Sequence, residues 1–223
     1  MSMQLNGLLN VFYNAGVWII RLIYLNLLWI GFTILGLVVF GIMPATVSLF
    51  AVLRQWIQGK EFVAVFPTFR QYFRKEFLKA NLCGLIFLVA AIILRMDIIL
   101  LKAFPSFPFQ LLLGITLSLG VLYAIILLYF FPVYVHFEVP LWHYFKYALI
   151  IGLTQLPITI MMILGSVVVF CMYWFFSGLI PLLCVSLFCL NLMWFGYRAF
   201  KNIEYQQQSE EYKPLRSKKA ISR

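Results

Sequence analysis

Long apolar runs alternate with short polar segments along this chain, and the pattern predicts helices throughout. Five runs are long enough to cross a bilayer, for which about 20 apolar residues suffice. These predicted spans are residues 17–41, 80–101, 109–135, 147–174 and 179–195. The predicted fold class is therefore all-α: a polytopic transmembrane helical bundle of about five spans plus short interfacial helices.

Shorter segments with a helical period supply the interfacial helices. Residues 5–14 have apolar side chains on one face and asparagines on the other, which predicts an amphipathic helix at the membrane surface. Residues 44–58 begin with Pro44, a residue that fits the first turn of a new helix. With too few residues to span, this second segment is predicted to be either interfacial or re-entrant.

A third short helix is predicted near residues 66–79, where phenylalanines recur at spacings of three and four with cations opposite. That combination is typical of a helix that binds anionic lipid, and also of a helix that docks on a protein partner. Both interpretations stay open at this point. The candidate partner- or lipid-docking residues are Phe66, Phe69, Arg70, Phe73, Arg74, Lys75, Phe77 and Lys79.

Composition excludes a soluble domain. The chain is 64% hydrophobic and 11% charged, whereas soluble domains are about 45–50% apolar and about 25% charged. The formal net charge of +10 would suggest nucleic acid in a soluble protein. Because most cations fall in segments predicted to face the cytoplasm, we expect a bilayer with anionic headgroups as the partner, and no nucleic acid.

The distribution of cations predicts the topology. Six of the seventeen Lys and Arg residues lie in residues 43–79, and seven more lie from Arg198 onward. Segments rich in Lys and Arg stay on the cytoplasmic side. With five spans, this predicts an external N-terminus and a cytoplasmic C-terminus, with Arg21, Arg95 and Lys102 toward the outside.

The same pattern predicts one folded unit. Residues 1–203 form a single transmembrane helical domain with a basic cytoplasmic loop at residues 43–79. Residues 204–223 lack apolar periodicity, so they are predicted to form a flexible basic cytoplasmic tail.

Candidate chemistry is sparse. We find no nucleophile with its base, no phosphate-binding loop and no standard metal spacing, so no enzyme, cofactor or metal is expected. Arg95 and Asp97 are predicted to lie at the outer interface, with a buried solute or ion contact as the alternative. Asn26 and Asn81 are predicted to bond between helices, or to contact a solute. These four residues are the candidate intramembrane polar residues: Asn26, Asn81, Arg95 and Asp97.

Several short segments together resemble one known family. They are Asn26-Leu-Leu-Trp29, Pro44-Ala-Thr46, Trp56, Gly59, Phe66, Phe69, Phe73, Lys79-Ala-Asn81, Phe131-Pro132, Glu138, Lys146-Tyr-Ala-Leu149 and Pro157. Over residues 15–165 the chain resembles the YesL-like family of bacterial integral membrane proteins. The family pattern FPxxxRFE is present as FPVYVHFE, with His136 in the place of the cation.

The resemblance implies a function only by association. The family has no established activity, and its members are often encoded beside carbohydrate importers and polysaccharide-degrading enzymes. It implies a non-catalytic accessory to carbohydrate uptake in the bacterial plasma membrane, with a subunit of an ABC-type importer as partner. The alternative is a self-sufficient small-solute transporter or facilitator.

Overall fold

Seven helices build the described part of this chain, for which a computed structural model covers residues 2–60, 63–104, 106–175, 178 and 180–221. They are α1 (Ser2–Leu35), α2 (Val39–Ile57), α3 (Val65–Lys102), α4 (Phe107–His136), α5 (Leu141–Thr154), α6 (Leu156–Phe175) and α7 (Ile180–Ile221). Six of them, all except α5, are long and apolar enough to cross a membrane. No β-strand occurs among the described residues. The predicted all-α membrane bundle is confirmed.

The first two helices form an antiparallel hairpin. Trp18, in α1, packs edge-on against Trp56 near the end of α2, with ring centroids 5.9 Å apart. Farther along, the indole N–H of Trp29 donates to the hydroxyl of Thr46 over 3.1 Å. Residues 44–58 are therefore part of a longer helix than predicted, because α2 begins at Val39 and takes Pro44 inside its first two turns.

A turn of three residues, 36–38, joins α1 to α2. Leu37 and Val38 have left-handed backbone angles, with φ of 58° and 61°. A Cβ atom on Gly41 would lie only 2.3 Å from a backbone oxygen of α1, so the close approach of the two helices depends on glycine. The backbone N–H groups of residues 36–39 all donate within the turn, over 2.7–3.0 Å. The turn therefore leaves none of these four donors to be satisfied by water.

Helix α2 lies at the centre of the bundle. Eleven of its 19 residues are buried, and it packs against α1, α3, α4 and α7. Phe50 is fully buried and stacks on Phe131 of α4, with ring centroids 5.3 Å apart. The apolar core of the protein is therefore built around this helix.

Helix α3 combines two elements that were predicted separately. The basic helix at residues 66–79 and the span at residues 80–101 are one helix of 38 residues, about 57 Å long. Helix-favouring residues such as Leu, Lys and Ala fill the junction, which explains why no break occurs there. α4 packs antiparallel to α3, with Phe87 and Phe130 4.7 Å apart.

The remaining helices complete the bundle. The predicted fourth span is bent at Gln155, where α5 ends and α6 begins with Pro157 in its first turn. α7 packs antiparallel to α6: Asn191 donates to the carbonyl of Met162 over 3.1 Å, and the hydroxyl of Tyr173 donates to the carbonyl of Cys184 over 2.6 Å. α7 continues to Ile221, so the described part of the predicted tail is helical. The flexibility of residues 204–223 stays a prediction.

Both ends of the α1–α2 hairpin lie at one end of the bundle. The guanidinium of Arg21 is 5.9 Å from the ring of Trp56, near Lys60. The sequence analysis instead placed Arg21 and the N-terminus on the side opposite the basic loop. The difference arises because α2 returns along α1, whereas the prediction treated residues 17–41 as a single crossing.

Candidate functional site

The first half of α3 divides the predicted docking residues into two sets. Phe69 is 0% exposed, and Phe32 of α1 packs on both Phe69 and Phe73 with centroid distances of 5.0 Å. Phe77 packs on Phe73 at 5.6 Å. Phe69 and Phe73 therefore fasten α3 to the hairpin, and they do not form the free docking stripe that the sequence suggested.

The second set forms an exposed surface, which we call the basic face. Its members are Arg70, Arg74, Lys75, Leu78 and Lys79, all of which are exposed, and Phe66 at its edge, which is exposed but also packs on Phe32 at 6.1 Å. Leu78 is an apolar side chain, yet it is 81% exposed and lies among these cations. Large apolar side chains rimmed by polar groups often mark contact surfaces.

A cavity of about 290 Å³ lies next to the basic face, between α2, α3, α4 and the start of α5. We call it the tyrosine cavity. Its charged and phenolic lining residues are Arg54, Tyr72, Lys75, Glu76, Lys79, Tyr134, Glu138 and Tyr144. The residues come from four helices and one loop, so only the folded chain brings them together.

Hydrogen bonds hold one wall of the tyrosine cavity in place. The hydroxyl of Tyr134 donates to Oε2 of Glu76 over 2.7 Å. Nζ of Lys75 lies 3.9 Å from Oε1 of the same carboxylate. Tyr144 accepts a hydrogen bond from the N–H of Val139 over 3.4 Å. Burial raises the pKa of the Tyr144 phenol, whose hydroxyl is protonated at neutral pH even at its ordinary pKa.

Arg54 supplies the charge from the α2 side. Its Nη1 donates to the carbonyl of Val135, while its buried Nε has no hydrogen-bond partner. Within the described part of the chain, no carboxylate lies within 4.0 Å of this guanidinium. A half-buried cation without a carboxylate partner favours an anion nearby.

Sequence reasoning missed Arg54, Tyr134 and Tyr144 as site residues. Arg54 was considered only for its effect on orientation, because a lone Arg in an apolar helix does not reveal what lies across from it. One signal was present: the FPVYVHFE stretch that carries the resemblance supplies four lining residues of the cavity, Tyr134, Val135, Phe137 and Glu138.

The four predicted intramembrane polar residues do not come together. The side chain of Asn81 donates to the carbonyls of Phe40 and Phe77, so it fastens α3 to α2. Asn26 is buried. Arg95 and Asp97 are exposed on α3 and form no hydrogen bond or ion pair with other described residues. Among the described residues, no three His, Cys, Asp or Glu side chains are placed to hold a metal ion.

The helices, their apolar surfaces and the basic face define a multi-pass membrane protein of the helical-bundle class. This chain belongs to the YesL-like family. Residues 22–98 match a family described as a protein of unknown function, DUF624.

Three relatives of Bacillus subtilis (strain 168) support this assignment. The chain is 37% identical to uncharacterized protein YteU over 203 residues, covering 91% of this chain and 90% of YteU. It is 32% identical to uncharacterized protein YesL over 209 residues, covering 94% and 99%. Uncharacterized protein YesV is 37% identical over 188 residues, covering 84% and 90%. No solved structure matches the chain.

Proposed function

We propose that this chain is a non-catalytic multi-pass membrane protein that assists carbohydrate uptake by contacting an ABC-type importer subunit through its basic face. The observation that supports this proposal is the surface of α3 itself. Leu78 is 81% exposed in the middle of four cations, and the phenylalanines on the opposite side are already used against α1. The free surface of this helix is therefore cationic with an apolar centre.

An interfacial helix usually turns its apolar stripe toward lipid and its cations toward the headgroups. In α3 the Phe69 stripe packs against the chain's own hairpin, so the basic face is free to meet headgroups or an acidic protein surface. Electrostatic complementarity would orient such a contact. The importer as partner comes from the family resemblance, in which members are encoded beside carbohydrate importers.

We further propose that the protein lies in the bacterial plasma membrane with its basic end in the cytoplasm. Lys60, the basic face and Arg198 then lie on the inside, as the excess of Lys and Arg requires. Because α1 and α2 return to the same end, the N-terminus is cytoplasmic in this arrangement, together with the C-terminus. This revises the external N-terminus predicted from sequence.

In this arrangement the α1–α2 hairpin is re-entrant: it enters from the cytoplasmic side and returns. Asn81 donates to the carbonyl of Phe40, which places the hairpin tip beside the middle of α3. Lys102, at the end of α3, is 21 residues farther along, about 32 Å at 1.5 Å per residue. The tip is apolar and Leu37 is 78% exposed there, which suits a tip that ends among acyl chains.

Co-purification from the native membrane tests the accessory function. We expect importer permease subunits to accompany the tagged full chain, and to be lost when Arg70→Gln, Arg74→Gln and Leu78→Gln are combined. A matched control is Arg95→Gln with Met96→Gln, which changes exposed residues at the far part of the same helix. Two results would contradict the proposal: importer subunits do not co-purify with the unchanged chain, or they still co-purify with the triple variant.

A liposome assay separates the accessory from a transporter. The accessory proposal predicts no uptake of external sugar by purified chain alone, because its central helix α2 is packed with apolar residues. Sugar uptake by this chain without other subunits would favour a self-sufficient transporter.

A further inference from the structure

The tyrosine cavity has a net positive lining once its internal pairs are considered. Glu76 is engaged on both oxygens, by the hydroxyl of Tyr134 at 2.7 Å and by Lys75 at 3.9 Å. Glu138 is exposed at the cavity edge. Arg54 and Lys79 therefore remain as cations without a carboxylate partner among the described residues.

The phenols of Tyr72 and Tyr144 add neutral donors to these cations, while the hydroxyl of Tyr134 already donates to Glu76. The rings of Tyr134 and Tyr144 lie 4.6 Å apart, and Tyr72 completes the aromatic part of the lining. Cations combined with hydroxyl donors suit the oxygens of a phosphate, since charge-assisted hydrogen bonds are the strong ones. The volume of about 290 Å³ is at the lower limit of small-molecule pockets, about 300–1,000 Å³. A small phosphate-bearing group fits this space better than an oligosaccharide does.

The position of the cavity along α3 indicates the source of that phosphate. Lys79 lines the cavity, and the next residues, 80–94, contain no charged side chain. Leu82 and Leu85 are exposed immediately beyond it. The cavity thus lies where the cationic part of α3 meets its apolar surface, which is the level of lipid headgroups.

We propose that the tyrosine cavity binds the phosphate of an anionic phospholipid headgroup, with Arg54 and Lys79 as the charged contacts. Basic pockets between membrane helices on the cytoplasmic side are suited to such headgroups. A soluble phosphate compound would offer the same chemistry, and the experiment below distinguishes the two sources. This site shares Lys75 and Lys79 with the edge of the basic face, whereas the half-buried Arg54 of α2 belongs to the cavity alone.

The test uses the full chain in phosphatidylcholine nanodiscs that contain a small fraction of phosphatidylglycerol, with bound lipid measured by native mass spectrometry. We expect one phosphatidylglycerol to be retained by the unchanged protein. Arg54→Gln and Lys79→Gln should each weaken its retention by about fivefold, from the loss of one cation near an anionic lipid. Arg70→Gln is the matched control, because it removes an exposed cation from the same helix outside the cavity.

If Lys79→Gln and Arg70→Gln weaken the retention of phosphatidylglycerol equally, the lipid is held only by general surface attraction. This result would overturn the proposal. So would full retention of the lipid in both cavity variants. Arg54→Gln can disturb folding, because Arg54 bonds to Val135; the exposed Lys79 then decides the outcome. A second arm titrates inorganic phosphate in detergent. Phosphate binding that depends on Arg54, without retained phosphatidylglycerol, would assign the cavity to a soluble phosphate compound and overturn the lipid assignment.

Discussion

Two of the helical hairpins, α1–α2 and α3–α4, differ in the polarity of their tips. The tip between α1 and α2 is a turn of three residues, 36–38, with apolar, exposed side chains and internally satisfied N–H groups. The tip between α3 and α4 follows Lys102 and includes Ser106. Phe104 and Phe107 are exposed beside these polar groups, as expected for aromatic residues at a membrane surface.

The difference shows how a chain determines where a hairpin stops. A tip that ends in lipid has to satisfy its own backbone groups, because no water is present to do so. A tip that reaches the aqueous side can carry charge and open turns. This difference supports our proposal that α3–α4 crosses the bilayer and that α1–α2 turns back inside it.

The largest effect is expected for a charge at the α1–α2 tip. Leu37→Lys should destabilise the inserted protein by up to about 3 kcal/mol, the cost of a Lys at the centre of a membrane helix. Phe104→Lys, at the other tip, should change the stability little because water is close by. Both variants are compared by their yield in the membrane fraction and by their unfolding temperature in detergent. Similar behaviour of the two variants would remove the distinction between the tips.

The next effect concerns the close packing at the same tip. Gly41→Ala would place Cβ 2.3 Å from the carbonyl oxygen of Thr33, which should cost roughly 1–3 kcal/mol of unfolding free energy. Gly114→Ala is the control, because nothing lies within 4 Å of its Cβ position. Thermal unfolding of both variants gives the comparison, and a Gly41→Ala protein as stable as the control would contradict the hairpin geometry.

A smaller effect is expected where α3 is fastened to the hairpin tip. Asn81→Leu keeps the size of the side chain and removes its hydrogen bonds to Phe40 and Phe77. The loss should be about 1 kcal/mol of unfolding free energy. Urea unfolding in detergent measures it; a variant that gained stability would argue that the bond to Phe40 does not form in the bilayer.

The smallest effect is expected at Asp97. Its side chain is exposed and unpaired within the described residues, so Asp97→Asn should change stability by less than about 0.5 kcal/mol. Carbohydrate uptake by cells should also stay normal. Lost uptake with normal expression and folding would return Asp97 to the buried-site alternative.

The sequence predicted the helical class and most spans because apolar run length alone decides which segments enter lipid. It missed the return of α2, since Val39 to Ile57 contains glycine, proline and polar residues that lower its hydropathy below that of α3. Those same small and polar residues suit a helix packed among others. The two most apolar helices, α4 and α3, are instead the least buried of the six candidate spans.

The site was predicted only in part. The helical spacing put Phe69 and Phe73 on a different face of α3 from Arg70 and Arg74. Spacing alone could not show that the Phe face packs against α1 of the same chain. Arg54 and Tyr134 are 80 residues apart in sequence, and no local pattern joins them. Only the packing of α2 against α4 brings both to one cavity.

Cysteine labelling tests the re-entrant hairpin most directly. The experiment starts from a variant whose native cysteines are replaced: Cys83, Cys171, Cys184 and Cys189. Into it a single cysteine is introduced, as Leu37→Cys or as Lys102→Cys. Intact cells that express each variant are then treated with a membrane-impermeant thiol reagent. We predict that position 102 reacts from outside, while position 37 reacts only after detergent is added. Labelling of position 37 from outside to the same extent as position 102 would mean that α1 and α2 each cross the membrane, and would contradict the account.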